Sequence, residues 1–213
     1  MTDAIRQTKA YVRKSLIEDY PDRRHAARYE HTLRVATIAK MIARDEQMSE
    51  EALYLAGLLH DIGYIECHTD DDYKHHGAIS ARLARRFLSD IGYDPALTDT
   101  IGYGIEIHTE DEASLPRQAT PFELSVADAD NIDRFDMYRL ALTLADDDFS
   151  NKTTEQITAL CHRRIGLYSG YKNMAVGTAT ARRLWDECLD LQLSFYERLL
   201  AQMNVTHAAD MEE

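Results

Sequence analysis

Residues 31–42 read HTLRVATIAKMI, and the spacing of their apolar side chains decides what kind of fold the chain adopts. Val35, Ile38 and Ile42 stand four, seven and eleven positions after His31, the repeat of a single stripe along an α-helix. His31 therefore lies on an inward face, where an unpartnered polar group is costly. The same helical period recurs outward in both directions, while no convincing period-two alternation appears. With only 4 prolines and 9 glycines in 213 residues, the composition also favours helix over sheet. Helices are expected over residues 3–18, 22–45, 49–62, 75–90, 95–108, 121–132, 134–145, 153–168 and 178–203. Ser49 ahead of Glu50 and Glu51 reads as a helix start, and the stretch from Gly92 to Pro95 as a stop and restart.

Other chemistry-bearing residues pass the test that His31 passes. His60 shares its stripe with Leu53 and Ala56, His76 with Ile79, Leu83 and Phe87, and His108 with Ile101 and Ile105. Asp128 lies between Leu124 and Ile132, and Asp61 follows His60 at the end of its helix. Five helices thus bring imidazoles and carboxylates toward one interior. A lone inward histidine usually hydrogen-bonds in the core, but a buried group of four histidines and two aspartates satisfied only by one another would make a poor core. A bound divalent cation would pair them all. Neutral imidazole nitrogen mixed with carboxylate oxygen suits Fe, Mn, Co or Zn better than Ca or Mg. His75 adjoins His76 but is turned about 100° from it on a helix, which makes it a pocket-edge group rather than a ligand. Asp133 is expected to support the ligands from behind.

The rest of the composition bounds the function. Lys and Arg number 24 against 37 Asp and Glu, a net charge of -13 that disfavours nucleic-acid polymers and anionic membranes as partners. No apolar run approaches a membrane span and the opening MTDAIRQTKAYVRK has no apolar signal core, so a cytoplasmic protein is expected. Cys67, Cys161 and Cys188 are too far apart for a zinc motif and read as reduced structural thiols. The acidic stretch HTDDDYKHH, residues 68–76, reads as a solvated loop able to cover the site. One domain is expected over residues 1–213, with a motif-bearing core at 24–135, further helices over 136–203 and a frayed tail at 204–213.

The ordered motifs RYEHTLRVATIA, GLLHDIGY, HHGAISARLA, IEIHTED and SVADADNID resemble those of the HD superfamily of metal-dependent phosphohydrolases over residues 24–135. The resemblance implies an all-α HD-domain helical bundle with a C-terminal helical extension. It also implies His31, His60, Asp61 and Asp128 as the ligands common to the superfamily, with His76 and His108 as the additional pair of its dinuclear branch. Two ions follow, one held by His31, His60 and Asp128 and the other by His76 and His108, with Asp61 bridging and indispensable to catalysis. The group most similar in its motifs splits diadenosine tetraphosphate symmetrically. That group commonly has a lysine shortly after the His-Asp pair where this chain has Tyr64, and the HD-GYP signature is absent, which argues against cyclic-di-GMP. The implied reaction is attack of a metal-bound hydroxide on the phosphorus of a small phosphorylated compound, a nucleotide or dinucleotide. Arg34, Lys74, Arg117 and Arg134 are the cations available to take up phosphate charge, although each also reads as a solvated surface group. Two alternatives stay open: a di-iron HD-type oxygenase of a small polar substrate, and a nucleotide-binding regulator without turnover. A homo-oligomer is compatible with all three.

Overall fold

A computed structural model describes residues 2–19, 23–110 and 115–210, with the side chains of 23–26 and 207–210 left aside. Ten α-helices run in chain order among the described residues: α1 Asp3–Arg13, α2 Arg23–Asp45, α3 Glu50–Leu59, α4 Asp70–Lys74, α5 His76–Asp90, α6 Pro95–Ile107, α7 Pro121–Phe135, α8 Met137–Asp146, α9 Thr154–Tyr171 and α10 Ala179–Asp210. No strand occurs among the described residues, as the helical period required.

Local chemistry sets most of the helix starts. The side chains of Thr2, Ser49 and Asp94 accept from the backbone N–H groups of Ile5, Ala52 and Leu97, and Pro95 opens α6 where its missing N–H costs nothing. Thr69 with Asp72 and Thr153 with Gln156 form reciprocal capping boxes at α4 and α9. Gly92 closes α5 with φ of 69°, a conformation that only glycine adopts freely. The acidic stretch expected as a loop is instead the short helix α4, because Thr69 and Asp72 satisfy its first N–H groups. α3 stops at Leu59, short of the expected Ile62, and the chain passes into a 3₁₀ turn over Ile62–Glu66. That exit lets Gly63 approach α5 so closely that a Cβ would lie 2.6 Å from the Ser80 nitrogen. At the far end α10 continues to Asp210, past the expected end at 203, since no glycine or proline interrupts residues 204–210.

The chain divides into two compact units. Unit 1 comprises Met1–Asp133 with Val176–Ala181, and unit 2 comprises Arg134–Ala175 with Arg182–Glu213. In unit 1 the apolar faces of α2 and α3 meet at Val35, Ala36, Ala39, Ile42, Leu53, Ala56 and Leu59, all fully buried. Each large aliphatic side chain removed from water there contributes on the order of 1.5–3 kcal/mol. Gly57 is the closest approach of the two helices, where a Cβ would stand 2.6 Å from Ala36 Cα. In unit 2, Trp185, Leu189 and Tyr196 of α10 are buried, Trp185 Nε1 donates to the Tyr171 carbonyl at 3.0 Å, and Phe135 packs edge-on to Trp185. No described helix is long and apolar enough to cross a membrane.

Candidate metal centre

Four helical segments of unit 1 each present one imidazole, and a local hydrogen bond sets the orientation of each ring. His60 Nδ1 lies 2.8 Å from the Gly57 carbonyl, His76 Nδ1 2.8 Å from that of Tyr73, and His108 Nδ1 2.6 Å from that of Ile105. A carbonyl only accepts, so each Nδ1 donates and each Nε2 carries the lone pair that a metal needs. The partner is always three residues earlier, so the helix backbone itself fixes the tautomer. His31 is held differently: its Nδ1 donates to Asp133 Oδ2 at 2.7 Å, and Asp133 is in turn gripped by Arg34 Nε at 2.7 Å and Nη2 at 3.2 Å. Asp133 thus supports a ligand from behind.

Asp61 sits between these rings and turns one oxygen to each pair. Its Oδ1 is 3.1 Å from His76 Nε2 and 3.7 Å from His108 Nε2, while its Oδ2 is 3.3 Å from His60 Nε2 and 3.6 Å from His31 Nε2. Arg28 Nη1 also donates to Oδ2, at 2.6 Å, and the guanidinium lies 3.9 Å from the centre of the Tyr64 ring. Burial by itself would raise the Asp61 carboxyl, but the surrounding imidazoles of His60, His108 and His76, whose charge attracts it when they are protonated, hold it well below the usual carboxylate range. Burial likewise disfavours protonation of His31, yet its bonds to Asp130 and Asp133 prevail and push it up to about 9. Asp130, despite burial, is held down at about 2, chiefly by His31.

Asp130 is the correction to the sequence reading. Three groups of potential ligands converge in unit 1: His31, His60 and Asp61; His60, His108 and Asp130; and Asp61, His76 and His108. Five of the six residues expected as ligands are therefore brought together, and Asp128 is in none of the groups. Asp130 Oδ1 stands 3.0 Å from His31 Nε2, whereas Asp128 Oδ2 accepts from the Gly177 backbone at 2.9 Å. Two residues on a helix differ by about 200°, so only one of the pair can face the imidazoles. The cations also redistribute. Arg34 is bound to Asp133, and Arg117 forms a two-pronged pair with buried Glu123 while stacking 3.7 Å from the centre of Tyr103. Lys74 and His75 are exposed, with His75 Nδ1 donating to the Asp71 carbonyl, and Arg134 is exposed on the last turn of α7. Arg28 and Tyr64 are the neighbours that sequence reasoning left out of the site. The signal for Arg28 was its position three residues before His31, one helical turn away on the same face.

The sequence matches the HD domain family over residues 28–138, just over half its length. The chain belongs to the HD-domain family. In fold it is similar to the crystal structure of a predicted HD superfamily hydrolase from an uncultured Thermotogales bacterium, with a TM-score of 0.62 over 93% of this chain and 92% of that one at 21% identity. No curated protein matches. As an HD-domain protein with clustered His and Asp side chains able to hold divalent metal, the chain is a metal-dependent hydrolase.

Proposed function

We propose that this HD-domain protein hydrolyses a phosphoester or phosphoanhydride bond in a nucleotide or dinucleotide, using two divalent transition-metal ions. The observation that carries the reading is the division of Asp61, whose two oxygens face different imidazole pairs. His31, His60 and Asp130, whose facing atoms lie 3.0–3.8 Å apart, would hold one ion, His76 and His108 the other, and Asp61 would join them.

The residues fit such ions. His31 Nε2 and His60 Nε2 are 3.3 Å apart, in the range of about 3–3.5 Å expected for two imidazoles bound to one ion at metal–nitrogen distances near 2.1 Å. His108 Nε2 is buried without a hydrogen-bond partner, an orphaned acceptor whose desolvation an ion would offset. When bound, the ions lower the pKa of a coordinated water and polarise a phosphoryl oxygen. The chain's own part is to hold the acceptor atoms, orient them through the Nδ1 bonds, and neutralise phosphate charge. Arg28 serves the last role. It engages Asp61 through Nη1, its side chain is 32% exposed, and it lies over Tyr64, the position where the diadenosine tetraphosphate hydrolases that its motifs resemble commonly carry lysine. The acidic balance of the chain keeps nucleic-acid polymers out and directs the site to small substrates.

Metal analysis of protein purified without chelator, alongside a phosphate-release screen over nucleotides and dinucleoside polyphosphates with Mn, Co, Fe and Zn, tests this reading. Two ions per chain with release from a nucleotide is the expected result. Two irons with oxygen uptake and no phosphate release would overturn it.

A further inference from the structure

Tyr73 stands apart from every other residue of unit 1. It is the only large apolar side chain there, among the described residues, that is exposed; at 43% exposure it contrasts with Met137, Tyr138, Leu142, Leu167, Met174 and Val205, which all belong to unit 2. A single exposed tyrosine is ordinary on a protein surface, so its surroundings decide what it means.

Those surroundings are the metal centre. The Tyr73 carbonyl accepts from His76 Nδ1, which places the residue one bond behind a candidate ligand. Its ring lies 5.7 Å from that of Tyr64, and the Tyr64 ring lies 4.6 Å from His76. An aromatic strip therefore runs outward from His76 through Tyr64 and ends in solvent at Tyr73. At its inner end Arg28 lies over Tyr64 while bonded to Asp61. The support is firm: Asp72 Oδ2 accepts from the backbone N–H of His68 at 3.0 Å and of Thr69 at 2.9 Å, and Cys67 Sγ donates to the Gly63 carbonyl at 3.4 Å. With the backbone around it held this way, Tyr73 has only its two side-chain torsions left to fix when a ligand lands on its ring.

We infer that Tyr73, backed by Tyr64, is the platform on which the flat ring of the substrate rests, so that a nucleobase selects the substrate while its phosphate lies at Arg28 and the metal centre. This rests on the phosphohydrolase reading and extends it by naming the recognised part of the substrate. Tyrosine supplies an aromatic face rather than a set of directional donors, so the platform favours any base over none and discriminates weakly among bases.

Adenosine 5′-monophosphate and ribose 5-phosphate share the sugar phosphate and differ by the base, which makes them the probes. With Mn²⁺ supplied, kcat/KM for the nucleotide should exceed that for ribose 5-phosphate. Tyr73→Ala should shrink this ratio about tenfold, through KM, and Tyr73→Phe should preserve it. Saturation-transfer NMR on the full chain gives a readout independent of turnover: the base protons H2 and H8 should receive saturation from the wild type and lose it with Tyr73→Ala. Equal loss for both substrates, or base protons that stay saturated in Tyr73→Ala, overturns the platform. Saturation of H2 and H8 without any hydrolysis would overturn the phosphohydrolase reading and leave the platform standing, whereas hydrolysis without saturation would do the reverse.

Discussion

Asp128 and Asp130 are both buried on α7 and occupy different environments. Asp130 faces His31, whereas Asp128 holds the backbone of Gly177. Asp130→Ala should therefore strip the protein of at least one ion and abolish phosphate release. Asp128→Ala should retain metal and lose about 1–3 kcal/mol of stability, since the Gly177 N–H is left without its acceptor. Metal content by mass spectrometry beside thermal denaturation separates the two, and the opposite pattern would restore Asp128 as the ligand. Asp133→Asn tests the support behind His31, with an expected loss of about 10–100-fold in metal affinity. The histidines were legible in the sequence because each shares a stripe with apolar residues on a helix with one inward face. The choice between Asp128 and Asp130 was not, because Val126, Asp128, Ala129, Asp130, Ile132 and Asp133 are all buried and so span most of the circumference of α7. Periodicity loses its power to assign a face when more than one face is inside.

At the scale of elements, the site depends on how closely α2 approaches α3 and on how α7 is started. Gly57→Ala would drive a methyl group into Ala36, and overpacking of this kind costs about 1–3 kcal/mol. A lowered melting temperature is the expected result, and an unchanged one would mean that the helices separate freely. The start of α7 is fixed by Glu123, which accepts from the Thr120 N–H at 2.8 Å and from both prongs of Arg117. Burial opposes its charge, but these partners prevail and hold the carboxyl below its ordinary 4.5. A carboxyl depressed by folding stabilises the fold above its unfolded value, and that contribution fades as pH falls through the folded value. The stability gap between wild type and Glu123→Gln, measured by urea denaturation, should be full above about pH 5.5 and close progressively below 4.5. A gap independent of pH would remove Glu123 from the account. The long helices were readable from their period and caps. The short ones were not: α4 spans five residues, too few for a period to register, and only the pairing of Thr69 with Asp72 marks its start.

For the whole molecule, the architecture was legible as an all-helical chain, while the return of Val176–Ala181 into unit 1 was not. That return depends on contacts between distant stretches, such as the Thr180 N–H on Glu46 and Gly177 on Asp128, which leave no local pattern. Removal of metal should register on the molecule as a whole. An ion bound only by the folded state at a hundred times its Kd adds about 2.7 kcal/mol, so chelation should lower the melting temperature and excess Mn²⁺ should restore it. A melting temperature indifferent to chelator would argue against the proposed centre. Three of the four imidazoles are turned by carbonyls of their own backbone before any ion arrives. Such a socket exerts little choice of its own among ions of similar size. Which metal would occupy the proposed centre in a living cell would then depend on the free pool of each ion as well as on its intrinsic affinity, so metal starvation or excess would change the enzyme's composition without changing its shape.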